Sequence, residues 1–277
     1  MTDSPLSPRD LQNQIALVTG AAQGLGLGIA QTLARRGAHV LLVDLQQDLA
    51  ATVARTLRTE GLAADPVALD IADAASVYRC FEQIVGSHGR LDILVNNAGV
   101  GQKVTPIADL SDDEWQRVIN ITLTGTFYCC RAAARVMQAQ ESGTIVNIAS
   151  INGHYPAALV AAYNVAKAGV ISLTKTLSLE LAAYGVRVNA VSPGPVYTEF
   201  NKSVMSQRCL SLGLSEEQMI ERVRNSIPLG RWGEAEDIAN AVAFLCSPQA
   251  GWITGEVLRV SGGLEGVSAA PPKSSSK

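Results

Sequence analysis

Aromatic residues are scarce in this 277-residue chain: phenylalanine, tyrosine and tryptophan together make up 5%. Charge is modest as well, with 17% charged side chains and a formal net charge of −3 at pH 7. A base-stacking surface or a basic footprint for nucleic acid is therefore not expected. The three histidines, His39, His88 and His154, are far apart, and the five cysteines form no C-x-x-C. No metal site is expected from that pattern. Cys80, Cys129, Cys130, Cys209 and Cys246 are an odd number of thiols, which points to a reducing compartment. No apolar run is as long as a membrane span. The opening stretch MTDSPLSPRDLQNQ lacks the apolar core of a secretory signal. These absences predict a cytoplasmic protein with no nucleic-acid or membrane partner.

What is present is material for a large core, 47% hydrophobic residues. Short β-branched runs alternate with longer helical patterns. Strands are predicted at 15–19, 39–43, 66–69, 92–96, 144–148, 186–191 and 257–260. Several are apolar throughout, as strands covered on both faces must be. Helices are predicted at 24–36, 46–59, 74–88, 111–138, 162–184 and 234–246. Ser111 with Glu114, and Ser215 with Gln218, have the spacing of capping boxes. Gly37, Gly61 and Gly185 follow helical runs, where a left-handed cap is wanted. The alternation predicts an α/β fold: a doubly wound, parallel, seven-stranded sheet with helices on both faces. Residues 13–265 show no composition break and are predicted to form a single domain. Residues 1–12 and 266–277 are expected to be disordered extensions.

Between the first strand and the first helix lies TGAAQGLG, with Gly20, Gly24 and Gly26. Glycines there let the backbone turn tightly and approach a pyrophosphate, which then meets the positive end of the helix. Gln23 and Leu25 lie within the same turn. Asp44 closes the second strand, 18 residues after Gly26. A carboxylate at that place accepts from a ribose diol and repels a 2′-phosphate, and no lysine or arginine stands beside it. NAD is the cofactor this predicts.

The motifs together resemble the short-chain dehydrogenase/reductase family, from Gln14 to about Gly263. TGAAQGLG (19–26) is similar to the family's glycine motif. NNAG (96–99), Asn120, Ser150, the Tyr163/Lys167 pair and PGPVYT (193–198) follow in family order. The resemblance implies a compact, Rossmann-like enzyme in which Thr19, Gly20, Gly24 and Gly26 line the phosphate site. It places Asp44 on the adenosine ribose, and Asp70 and Ile71 beside the adenine. Asn97, Ala98 and Gly99 would face the cofactor while Asn96 braces the loop. Pro193, Gly194, Val196 and Thr198 would meet the nicotinamide end. Asn120, Ser150, Tyr163 and Lys167 would be the catalytic set, with Asn120 kinking its helix and holding a relay water. The family's late V-D-G-G reads Val260-Ser261-Gly262-Gly263 here, a departure that bears on core or interface. A homotetramer paired through the helices at 111–138 and 162–184 is also implied.

A tyrosine four residues before a lysine is, by itself, an ordinary pair of helix neighbours. Behind a dinucleotide loop it acquires a use. Oxidation of an alcohol needs a proton acceptor, and a nearby ammonium favours the phenolate. Ser150 would hold the substrate oxygen. Asn152 and His154, just beyond it, are candidate substrate contacts with Tyr163. The long connection at about 196–231 is expected to be a substrate loop, and its mixture of polar and apolar residues suits a sugar, polyol or similar secondary alcohol. Two alternatives stay open: a 3-oxoacyl-type ketone reductase, and a non-catalytic NAD-sensing protein on the same fold.

Overall fold

The computed structural model describes residues 9–198, 202, 205–207, 209 and 213–266. Seven parallel strands form one sheet in the order β3-β2-β1-β4-β5-β6-β7. They are β1 (Ile15–Thr19), β2 (His39–Asp44), β3 (Ala64–Ala68), β4 (Ile93–Asn96), β5 (Gly143–Ile148), β6 (Val186–Pro193) and β7 (Val257–Val260). The helices are α1 (Gly24–Arg35), α2 (Gln47–Thr59), α3 (Ala74–His88), α4 (Asp112–Ile119), α5 (Thr126–Gln140), α6 (Ala161–Leu181), α7 (Glu216–Ser226) and α8 (Ala235–Cys246). No described helix is long and apolar enough to cross a membrane.

The central strands β1 and β4 are almost wholly apolar because both faces are covered. Ala16 and Val18 of β1 pack with Ile29 and Leu33 of α1 and with Ile238 and Val242 of α8. Ile15 and Leu17 of the same strand point the other way, to Phe81 of α3, Met137 of α5 and Leu181 of α6. Alternation of side chains along a strand produces these two cores from one sequence. Strand order reverses between β1 and β4, and a crevice opens at the carboxyl ends there.

Several expectations are corrected. The third strand lies two residues earlier at its start than predicted, at Ala64–Ala68, in register with β2. Pro66 is tolerated because β3 is an edge strand, where a missing N–H costs no ladder bond. The helix predicted over 111–138 is interrupted by a π-helical turn, Asn120–Gly125. Ser111 accepts from the Glu114 amide, but no reciprocal bond forms. The Glu114 carboxylate instead takes the Lys103 amide at 2.8 Å and pairs with Arg117. At Ser215 and Gln218 both halves of the box are present. Gly37, Gly61 and Gly185 do adopt positive φ after their helices.

Residues 9–12, expected to be disordered, form a turn against the fold. Leu11 is fully buried beside the α1 core, its amide donates to Arg36 O at 3.1 Å, and Asp10 pairs with Arg36. An isolated apolar residue in a polar leader gives little sign of burial. Residues 1–8 and 267–277, and the expectation of disorder there, lie outside the described residues. Leu11→Ala should cost about 2–5 kcal/mol, as for a leucine cut from a packed core. A urea denaturation midpoint unchanged by the substitution would contradict this anchoring.

Candidate active site

One cavity of about 1060 Å³ runs along the carboxyl ends of the strands. Gly20, Gln23, Gly24, Leu25, Asp44, Asp70, Ile71, Asn97, Ala98 and Gly99 line one part of it. Ser150, Asn152, Tyr163, Lys167, Pro193, Gly194, Val196 and Thr198 line the rest. Thr19, Gly26, Asn120 and His154 are not on its wall.

The glycines divide their work. Gly24 has φ +58, and a side chain there would meet nothing within 4 Å, so its backbone faces open space. Gly26 does the opposite: a Cβ would stand 2.0 Å from Gly20 O, so this glycine permits packing of helix on turn and does not touch the cavity. The first turn of α1 has no acidic residue, and no side chain caps its amides. Free amides, an open glycine and a helix dipole fit a pyrophosphate. Asp44 is oriented by two backbone donors, Ala22 N–H at 3.1 Å and Gln46 N–H at 3.0 Å. Those bonds aim a fixed carboxylate at the cavity, with spare lone pairs for hydroxyls.

The turn is fixed from the neighbouring strand. Thr19 Oγ1 accepts from the amides of Asn97 and Ala98, each at 3.0 Å. Asn97 Nδ2 donates back to Thr19 O and Gly20 O, each at 3.0 Å. Asn97, not Asn96, therefore braces the loop. The Asn96 amide turns to Asn147 Oδ1 at 2.8 Å, and Asn147 donates to Thr174 at 2.9 Å. That correction follows from strand alternation, which sends adjacent side chains to opposite faces.

Ser150, two residues past β5, caps a short 3₁₀ turn and hydrogen-bonds Tyr163 on the first turn of α6. Burial pushes the Tyr163 phenol above its ordinary range, and the Ser150 bond opposes that shift. Lys167 is one turn on and buried, which brings its ammonium down to about 8. Its Nζ lies 5.8 Å from the Tyr163 ring centre and donates to Ile148 O at 2.6 Å. In the protein alone desolvation therefore dominates at Tyr163, and the opposing influence comes from Ser150 and not, as expected, from Lys167.

Asn120 starts the π-helical turn, so the helix is broken where expected, but its side chain is exposed and away from the cavity. Thr122, fully buried two residues later, takes the inner position. Its hydroxyl accepts the Val100 amide at 3.1 Å. It borders Gly99, whose Cα in turn faces Lys167 Nζ. A threonine among apolar residues carries no sequence signal for this; only the extra residue of the π turn settles which side chain points inward.

At the substrate end Asn152 lines the cavity. His154 does not: its Nε2 lies 3.0 Å from Ser192 Oγ, while burial, Arg259 and Lys175 hold its pKa down. Met205, Met219, Val223 and Trp232 form the opposite wall. Of the connection at 196–231, residues 199–201, 203–204, 208 and 210–212 lie outside the described residues. Gln102, which no motif marks, is buried at the rim. Its Oε1 accepts the Ala162 amide at 2.7 Å, holding the start of α6. Ser261, in the departing V-S-G-G, packs against Gly194, where a Cβ would come within 2.7 Å. The departure therefore supports the cavity wall.

A family model described as enoyl-(acyl carrier protein) reductase matches residues 20–265. A 3-oxoacyl-[acyl-carrier-protein] reductase of Vibrio harveyi is 38% identical over 92% of this chain and 98% of its own. The cis-4-hydroxycyclohexanecarboxylate dehydrogenase of Sinomonas cyclohexanicum is 39% identical over 92% and 97%. The crystal structure of levodione reductase superposes with a TM-score of 0.87, at 31% identity over 92% of this chain and 98% of that one. The chain belongs to the short-chain dehydrogenase/reductase family, whose Rossmann-like members bind a nicotinamide cofactor and interconvert ketones and alcohols.

Asn120→Ala should leave kcat/KM within about twofold, as for an exposed substitution. Thr122→Val leaves the buried Val100 amide unpaired and should destabilise the fold by about 1–3 kcal/mol. Steady-state kinetics and urea denaturation of both variants check the pair; the reverse ranking would restore Asn120 as the inward residue.

Proposed function

We propose that this short-chain dehydrogenase/reductase oxidises a secondary alcohol to a ketone with NAD, and runs the reverse reduction. The observation that carries the reading is a hydrogen-bonded Ser150–Tyr163 pair, with Lys167 behind it, on the same cavity as the glycine turn and Asp44. Asp44 supports NAD over NADP, because a fixed carboxylate beside a 2′-phosphate is repulsive and no described lysine or arginine lines that end. The amides of the α1 turn would hold the pyrophosphate, and Asp70 and Ile71 would flank the adenine.

When bound, the nicotinamide supplies the hydride acceptor. The protein handles the proton. Ser150 positions the substrate oxygen beside the Tyr163 hydroxyl, and Tyr163 takes the hydroxyl proton as the carbinol carbon is oxidised. Buried Lys167 stabilises the phenolate electrostatically at short range. In reduction Tyr163 returns that proton to the ketone oxygen, with Ser150 donating to the same oxygen as charge develops.

The substrate proposed is a small hydroxylated molecule, a sugar, polyol or hydroxylated ring. Asn152 offers an amide, and Ser226, whose own proton goes to Val223 O, offers an acceptor among apolar walls, which suits a ring with one apolar face. The relative that acts on a hydroxycyclohexane ring supports that choice. Reduction of a 3-oxoacyl group is the second reading, favoured by the Vibrio relative. We further propose a cytoplasmic homotetramer, in which exposed Phe127 of α5 and exposed Val165 and Leu179 of α6 become buried.

Because Tyr163 is pushed up, its protonated form dominates at neutral pH. Alcohol oxidation, which needs the phenolate, should therefore rise with pH from neutrality, and ketone reduction, which needs the phenol, should fall over the same range. Absorbance at 340 nm with a panel of secondary alcohols, polyols and ketones reads both directions. Tyr163→Phe should lower kcat by about 100-fold or more. Full turnover by that variant would remove Tyr163 as the proton carrier.

A further inference from the structure

We infer that the substrate of this cavity carries a carboxylate, received by Arg222. The inference rests on the reading of the cavity as a joint cofactor and substrate site, and adds the chemical class of the substrate.

Met219, Arg222, Val223 and Ser226 of α7 all line the cavity. Their spacing of three, four and seven residues from Met219 places them on one helix face. That face is held down at both ends. Met219 packs with Met205, Cys209 and Trp232, while Val223 packs with Ile227, Leu264 and Ile151, the residue after Ser150. Arg222, an exposed residue, therefore lines the cavity between two apolar anchors.

The Arg222 side chain has no hydrogen bond or ion pair with any described residue. Its surroundings do not lack pairing: Arg224 meets Glu221 at 3.0 Å and Arg231 meets Asp237 at 2.7 Å. Lys167 is the other cation among the described lining residues, and it is buried behind Tyr163 and bonded to Ile148 O. The lining acids, Asp44 and Asp70, belong to the adenosine end. A guanidinium offers a planar fork of donors that matches a carboxylate in bidentate fashion. Ser226, one turn on, spends its hydroxyl proton on Val223 O at 2.7 Å, so the guanidinium fork alone would meet the two oxygens of a carboxylate; a phosphate dianion, with three, would call for further cations.

The test is a binding titration, independent of turnover. Cyclohexanecarboxylate and cyclohexanecarboxamide are titrated calorimetrically into the protein saturated with NADH. Wild type should bind the acid about tenfold or more tightly than the amide, the scale of a charge-assisted bond. Arg222→Met should bind acid and amide alike, with its NADH affinity retained, and Arg222→Lys should recover part of the preference. Equal affinity of wild type for acid and amide, no binding of either, or a preference surviving in Arg222→Met would overturn the inference. Weaker NADH binding by Arg222→Met would assign the side chain to the cofactor phosphates and overturn it too. Failure of wild type to bind NADH would instead remove the cofactor reading on which it stands.

Discussion

The reciprocal clasp between β1 and the loop after β4 is the contact on which the site depends. Thr19 accepts two amides from Asn97 and Ala98, and the Asn97 amide returns two bonds to Thr19 O and Gly20 O. Four bonds across the switch point fix the glycine turn relative to the loop that carries Gly99. Gly20 is pressed against Ala98 and Asn97, with a hypothetical Cβ only 3.0 Å from each. Without that closeness the first turn of α1 and the wall near Lys167 would have no common frame. The strand order reverses at the same place, so the crevice exists because the topology leaves the two βα loops diverging there.

Around that frame the protein places groups whose charged forms are costly in isolation. Lys167 is buried and its ammonium falls to about 8. Tyr163 is pushed the other way by the same desolvation. Burial makes each charge costly alone and their interaction strong when both are present, since screening by water is lost. Ser150 reduces the shift on Tyr163 through one hydrogen bond. The free protein therefore holds a protonated phenol near an ammonium of lowered pKa, and under the proposed function a bound cationic nicotinamide would favour the phenolate.

Much of this was legible in the residues. The apolar central strands, the glycine cluster and Asp44 at the end of β2 point to the fold and to much of the cavity lining. Local signals failed where geometry depends on a single residue of register. Asn96 and Asn97 are adjacent, and only the pleat decides which reaches Gly20. Asn120 and Thr122 differ in orientation because a π turn inserts one residue into the helix. His154 sits four residues beyond Ser150 in sequence, yet a short 3₁₀ turn at Ile151–Gly153 directs it to Ser192. Leu11 and Gln102 carry no motif at all, and their burial comes from tertiary contacts that no local window contains.

Under the proposed function the cavity binds a dinucleotide and Asp44 selects the one without a 2′-phosphate. Trp232 lines the cavity, so energy transfer from tryptophan to a reduced nicotinamide gives a direct binding signal. Titration with NADH and NADPH in turn should show NADH binding about tenfold or more tightly, a difference of roughly 1.4 kcal/mol. Equal or tighter binding of NADPH, or no saturable binding of either, would contradict the account.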